Sequence, residues 1–293
     1  MYTEEKKEVD LNEETFNNFK EEILERAKAK NACKYQYVIA CETSTIKDLC
    51  DVIKDNFHWC CHNAIFSPQI IEKYRELFAD NDIFFNCDCQ QGFLQVCGDA
   101  KVDVCNNVRV YAYDNAMITA RHDADVFAID NVTVNAMDNA KVLAYDNAII
   151  SVSDYARVRC LDNVKVTALN DARVESFGES IIWAYDCSNI FANGNTVVNA
   201  FGTVDSFVKN VTVCAFEKAL VIAYHKTVVC ANGVDVRVIA LENAIVTSHS
   251  VIDCKLGGNA IHRILDKNKI IYASDEIAFE KSSEYIPDES NNK

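Results

Sequence analysis

The chain is short of the residues that break or loosen a fold: 293 residues include only 8 Gly and 2 Pro. That excludes a collagen-like chain and a Pro/Gly-rich disordered one. No stretch approaches the roughly 18 consecutive apolar residues of a membrane-spanning helix. The opening MYTEEKKEVDLNEETF has no apolar run of the signal-peptide kind. Positive charge is in deficit, with 29 Lys and Arg against 44 Asp and Glu and a formal net charge of −15. So acidic a surface repels nucleic acid and anionic lipid, and a neutral or basic partner is expected. G-x-S-x-G, the P-loop and the dinucleotide fingerprint are all missing. His122, His225 and His249 stand alone within the array described below. No catalytic constellation emerges, so the expectation is not an enzyme, with no cofactor.

Hydrophobic residues reach 49%, enough for a sizeable core, and cysteine is plentiful at 14. Without a secretion signal, so many thiols point to a reducing compartment, and the cytoplasm is the expected location. Most cysteines read as small hydrophobes at repeat positions.

What dominates is repetition. Residues 135–150 read NAMDNAKV and then LAYDNAII. Octets of this kind run from QVCGDAKV at Gln95 to IALENAIV ending at Val246, with CDCQQGFL and TSHSVIDC as degenerate end copies. One residue is lost in NAFGTVD and one gained in CANGVDVRV. Take YAYDNAMI, residues 111–118, as positions 1 to 8. Position 8 is Val or Ile almost throughout, position 2 is mostly Ala, and position 6 is small. Alternation of 6, 8 and 2 with 7, 1 and 3 is the period of a β-strand, predicted to run through 6-7-8-1-2-3. Positions 4 and 5, typically Asp-Asn, tolerate left-handed backbone and make the corners.

Strand and corner with no helix between them predict a β-solenoid. An Ala-Val-Ala interior fills the gap between two sheets but not the wider space inside three. Outward residues also alternate from octet to octet. One set holds Tyr111, Tyr113, Phe127, Ile129, Leu143, Tyr145, Leu161, Phe177 and Phe191, joined by Met117, Ile149, Ile181 and Val197 at position 7, and continues through Ile222, Tyr224, Val228, Ile239, Leu241 and Ile245. The other is polar, with Asp103, Arg109, Arg121, Asp125, Lys141, Arg157 and Arg173. The expected architecture is therefore mainly β: a two-sheet parallel β-solenoid of 16 residues per coil and about ten coils, roughly 48 Å long. One face is expected to be apolar, several hundred Å² wide, and covered by a second copy, the terminal segments or another partner.

Residues 1–86 read as a small α-helical N-terminal cap. Its helices carry Phe16, Phe19, Ile23, Leu24 and Ala27, then Ile46, Leu49, Val52 and Ile53 after Thr43 or Ser44, then SPQIIEKYRELF with Ser67 as N-cap. The array spans 87–254. Residues 255–293 carry one more strand-like run, KIIYA, and a polar tail. HWCCH, from His58 to His62, crowds its ligands too closely for a tetrahedral ion, so no metal is assigned there. Cys89 and Cys105, and likewise Cys214 and Cys230, stand sixteen apart and become neighbours, open to a soft metal or to oxidation. The Asp/Asn corners suit turn formation better than calcium binding.

The octets YAYDNAMI, FAIDNVTV and LAYDNAII resemble those of octapeptide-repeat β-solenoid proteins of gut-type bacteria and their phages. NACKYQYVIACETSTIKDLCDVIKDNFHWCC is similar to the head segment preceding such repeats. The resemblance implies architecture and a bacterial or phage-encoded source, not an activity. Ice-nucleation solenoids share the sixteen-residue coil but rely on outward Thr-x-Thr rows, which this chain lacks. Six-residue acyltransferase repeats do not match.

Three functions remain in view. The first is a non-catalytic solenoid docking a copy or protein partner through an apolar face centred on Tyr111, Tyr113, Phe127, Ile129, Leu143, Tyr145, Leu161, Phe177, Phe191, Ile222 and Tyr224. The second is a phage or surface protein contacting glycan through Trp183, Tyr185 and Phe201. The third is an acidic mimic of DNA.

Overall fold

A computed structural model describes residues 2–202, 210–233 and 235–273, with the side chains of residues 2–12 left aside. The polar tail beyond Ala273 lies outside the described residues.

The chain forms two parallel sheets wound as one solenoid of about ten coils. From Phe93–Val96 to Ile261–Ile264, successive strands alternate between a thirteen-stranded front sheet and a ten-stranded back sheet. Register confirms the sixteen-residue coil: Arg109 pairs with Asp125, Tyr111 with Phe127, and Ala112 with Ala128.

The strands are shorter than the octet pattern predicts. Most hold four residues, as in Arg109–Ala112 and Met117–Ala120, which are positions 7, 8, 1 and 2. Positions 6 and 3 already belong to the corner, where the amide of Ala116 donates to the Tyr113 carbonyl. The strand thus straddles the octet boundary, and position 7 leads the next strand. Met117, Ile149, Ile181 and Val197 consequently lie on the back sheet, not beside Tyr111.

Position 4 takes positive φ at nearly every corner, as at Asp114 (58°), Asp130 (64°), Asp146 (53°) and Asn170 (55°). Left-handed backbone costs an ordinary side chain roughly 1–2 kcal/mol, less for Asp and Asn, and this selects the residue type. The carboxylate has a second task. Asp130 Oδ2 accepts from the amide of Asp114, Asp138 Oδ2 from His122, and Asp186 Oδ2 from Asn170, each one coil back. Position 5 adds a ladder of amides, with Asn131 Nδ2 donating to Asn115 Oδ1. The Asp/Asn columns are therefore engaged in coil-to-coil bonding. Among the described residues, no group of three or more His, Cys, Asp or Glu converges as a metal site.

The interior is a continuous file of Val and Ala, with Ala112, Ala116, Ala128 and Val126 fully buried. Ser188, Thr196 and Thr227, which replace Ala at position 6, return their hydroxyls to the position 3 carbonyls of Tyr185, Asn193 and Tyr224, while Ser180 donates to the Asp162 carbonyl one coil back. Cys160 and Cys254 are buried in this file, while Cys87, Cys97, Cys105, Cys187, Cys214 and Cys230 are exposed or half-buried. Cys89 packs at the margin of the same core, so the small-hydrophobe reading of the array's thiols holds for these three.

The stretch counted as two octets after Phe191 gives one step, not two. The back-sheet strand Val197–Phe201 is followed by Thr212–Phe216, which pairs with Asn189–Ala192 of the front sheet. Parity then inverts, and Ile222, Tyr224, Ile239 and Leu241 belong to the back side.

At the far end the array runs one coil beyond residue 254, through Asp253–Leu256 and Ile261–Ile264. Lys269–Tyr272, within KIIYA, then adds antiparallel to Ile261–Ile264 and closes the front sheet. His262 occupies an inward position there, 2.8 Å from Ser248 Oγ through Nε2. Burial pushes its pKa down to about 4.

Six helices precede the coils: α1 (Tyr2–Ala29), α2 (Lys34–Glu42), α3 (Ile46–Asp55), α4 (Phe57–His62), α5 (Pro68–Lys73) and α6 (Arg75–Asp80). Ser67 caps α5 as expected, whereas Thr45 caps α3 in place of Thr43 or Ser44. SPQIIEKYRELF divides into two short helices at Tyr74.

Two substitutions test this core. Ala144→Leu overfills a site with no spare volume and is expected to cost at least about 1–3 kcal/mol in denaturant unfolding. His262 stays neutral in the folded chain but titrates near 6.5 when unfolded. The unfolded chain therefore binds the extra proton between pH 6.5 and about 4, and stability falls as pH drops through that window. The loss expected, after solvent screening, is on the order of 2 kcal/mol. His262→Val should flatten that part of the pH–stability curve; an unchanged slope would place its origin elsewhere.

Candidate functional site

The eleven residues expected to form one apolar face separate into three groups. Tyr111, Phe127, Leu143 and Phe191 point outward from the front sheet at position 1. Tyr113, Ile129, Tyr145, Leu161 and Phe177 follow them at position 3, on the corner beside that sheet. Ile222 and Tyr224 are on the back side.

The front face is also not uniformly apolar. Position 7 places Arg109, Asp125, Lys141, Arg157 and Arg173 in a charged column directly beside the apolar one. The two columns are interleaved: the guanidinium of Arg159 lies 5.0 Å from the Phe177 ring centre, and that of Arg173 lies 4.8 Å from Phe191. Glu175 pairs with both arginines. Such contacts solvate the aromatic rings with the chain's own charge.

The first coils of this face are covered by the helices. Their core of Phe19, Leu49, Phe57, Ile65 and Phe78 is continuous with Ile83, Phe85 and Tyr111, and Phe93, Tyr113 and Phe127 pack at its margin. Phe57 is the keystone, 5.6 Å from Phe93, 5.3 Å from Tyr111 and 5.6 Å from Phe66 between ring centres. The N-terminal segment therefore lies against the side of the solenoid. Within HWCCH the helical turn sends Cys60 and Cys61 into the core and sets His58 against Tyr111 at 5.7 Å. The four side chains do not converge. Burial first, and His62 second, hold the His58 imidazole below its ordinary range. Burial likewise pushes the Tyr113 phenol up.

A mainly apolar, half-buried surface lies on the back sheet, across the strands Ile181–Tyr185, Val197–Phe201, Leu220–Tyr224 and Arg237–Ala240. Three of these four strands extend to five residues. Their outward strand positions hold Ile181 and Trp183, Val197 and Asn199, Leu220 and Ile222, then Arg237 and Ile239. None of the eight is acidic, in a chain of net charge −15. The adjoining column stacks Tyr185, Phe201 and Tyr224 face to face, with centroids 5.0 and 4.9 Å apart and ring planes within 11° and 5°. These rings show edges to solvent, because their faces lie on one another. Sugar recognition by aromatic platforms uses ring faces, and the ladder leaves those only at its ends.

Sequence reasoning picked out Trp183, Tyr185 and Phe201 individually. It missed their union with Ile181, Leu220, Ile222 and Ile239, because residues 202–211 shift the parity. The available signal was the run of apolar residues at position 7: Ile181, Val197 and Leu220.

Searches of protein-family models, curated proteins and solved structures find no match to this chain.

Phe57→Ala removes the ring that joins the helices to the front sheet and is expected to cost about 3–5 kcal/mol locally. Hydrogen exchange should show α3 to α6 losing protection while the coils beyond Phe127 keep theirs. Equal loss throughout would mean that helices and coils unfold as one unit.

Proposed function

We propose that this is a non-catalytic interaction solenoid whose working surface is the upper back sheet, and that its partner there is a second copy of the chain. The observation carrying this reading is the strip from Ile181 to Ile239, apolar at six of eight outward positions on four adjacent strands and free of carboxylates there. The helical core reaches no farther than Phe127 on the opposite face, so it leaves this strip untouched. Three side chains wide and four coils tall, the strip covers a few hundred Å², the size at which an exposed patch usually has a partner.

Charge permits self-association at this place, since the eight outward strand positions hold no carboxylate. Two chains of like charge repel, but the cost is least where both surfaces carry no acid. Flat sheets also pack face to face at about 10 Å with their outward side chains interdigitated. A two-fold arrangement would set Trp183 and Ile222 of each copy against the other. Copies meeting in the cytoplasm of a bacterial host suit a chain in which all fourteen cysteines are free. Among the described residues, no helix is long and apolar enough to cross a membrane.

Light scattering across a concentration series should show a monomer–dimer equilibrium in the micromolar range. Ile222→Lys buries a charge at the seam and should weaken the dimer at least tenfold, whereas Tyr145→Lys on the front side should not. A monomer at all concentrations would sink this reading.

A further inference from the structure

Cys214 and Cys230 occupy position 1 of adjacent front-sheet strands, Thr212–Phe216 and Val228–Asn232, and pair in register. Both side chains point outward and are half-buried. They are not fillers of the Val/Ala file, whose cysteines are Cys160 and Cys254. Register sets the two thiols side by side on neighbouring strands. The register neighbours are Phe191 on one side and Thr247 on the other, and Val213 and Val229 face the interior behind them.

We propose that Cys214 and Cys230 form a two-thiolate site for a soft, thiophilic monovalent cation such as copper(I). This goes beyond the docking role and concerns the opposite face. Three features of the pair select that ion class. The donors are sulfur alone, which suits soft cations and excludes magnesium, calcium and manganese. There are only two donors, whereas structural zinc takes four. Among the described residues, no third His, Cys, Asp or Glu joins them as a metal-binding group.

Spacing separates metal bridging from disulfide formation. Side chains in register on parallel strands project side by side, one strand spacing of ~4.8 Å apart. A disulfide needs Cβ atoms closer than about 4.5 Å and sulfurs turned toward each other. A linear sulfur–metal–sulfur bridge spans roughly the strand spacing without moving the backbone. On binding, each thiol releases one proton to solvent and two sulfur–metal bonds form. No electron is transferred, and the complex carries one net negative charge. The sheet fixes both strands through their ladder bonds, so the site is preformed in the apo chain.

The test is a titration of the reduced, full-length protein with copper(I) under argon, in competition with a chromogenic copper(I) chelator. Wild type should hold one equivalent more than Cys214→Ser and one more than Cys230→Ser, with both variants losing the same equivalent. Their affinity for it should fall at least 100-fold. Cys33→Ser, which removes an exposed thiol before α2, should match wild type. Copper(I) should also raise the Tm of wild type by more than that of either serine variant. Equal stoichiometry in wild type and both variants overturns the proposal. So does loss in only one variant, which would indicate a single thiol and no bridge. A melt of each apo variant that matches wild type confirms that the coils remain folded.

Discussion

Corner after corner along this solenoid hands a backbone amide to a carboxylate in the next coil, at Gly98, Asp114, His122, Asp130, Asp138, Asn170 and His225. The bond from the Asp114 amide to Asp130 Oδ2, and its equivalents along the column, fix where one coil sits on another. A slip of one residue would turn every strand inside out. With the register pinned, each octet position becomes a straight column of side chains one strand spacing apart. The charged column of the front face, the aromatic ladder of the back and the paired thiols are all consequences of that alignment. The net value of one such bond is only about 1 kcal/mol, but the same bond recurs in successive coils.

The interior imposes the second constraint. Val and Ala, with a few Ile, set how close the sheets come, and the aromatic side chains of the coils are displaced to the outside. The chain therefore carries its aromatics externally, where they have to be satisfied by something else. Three solutions coexist on one molecule. The first coils bury Phe93, Tyr111 and Phe127 beneath the helices. The middle of the front face intersperses Phe177 and Phe191 with arginines. The upper back sheet stacks Tyr185, Phe201 and Tyr224 on each other and leaves Ile181, Trp183 and Ile222 half-buried without any such cover from the helices.

The last of these leaves apolar side chains uncovered by the helices, and its outward strand positions hold no carboxylate. The helices on the front and the open strip on the back divide the molecule into a side that serves the chain's own stability and a side that faces outward. The acidic corners such as Asp130, Asp138 and Asp146 belong to neither, because their oxygens are engaged in the coil-to-coil ladder.

The coil is written in the local pattern of residues. Eight-residue spacing, Ala and Val at alternate positions and Asp or Asn at the corners are local properties, and local physics reads them directly. The helical content of residues 1–86 and the closing strand within KIIYA were legible for the same reason. Which residues share a face was decided only by the tertiary structure. A face depends on where the strand begins within the octet and on how many strands precede it. One octet boundary crossed by a strand moved Met117, Ile149, Ile181 and Val197 to the other sheet. One connection between Phe201 and Thr212 moved Ile222 and Tyr224. Periodicity is conserved through such a shift, and parity is not. Where the helices settle was equally out of reach, since Phe57 meets Phe93 and Tyr111 only after the coil has brought those two residues side by side.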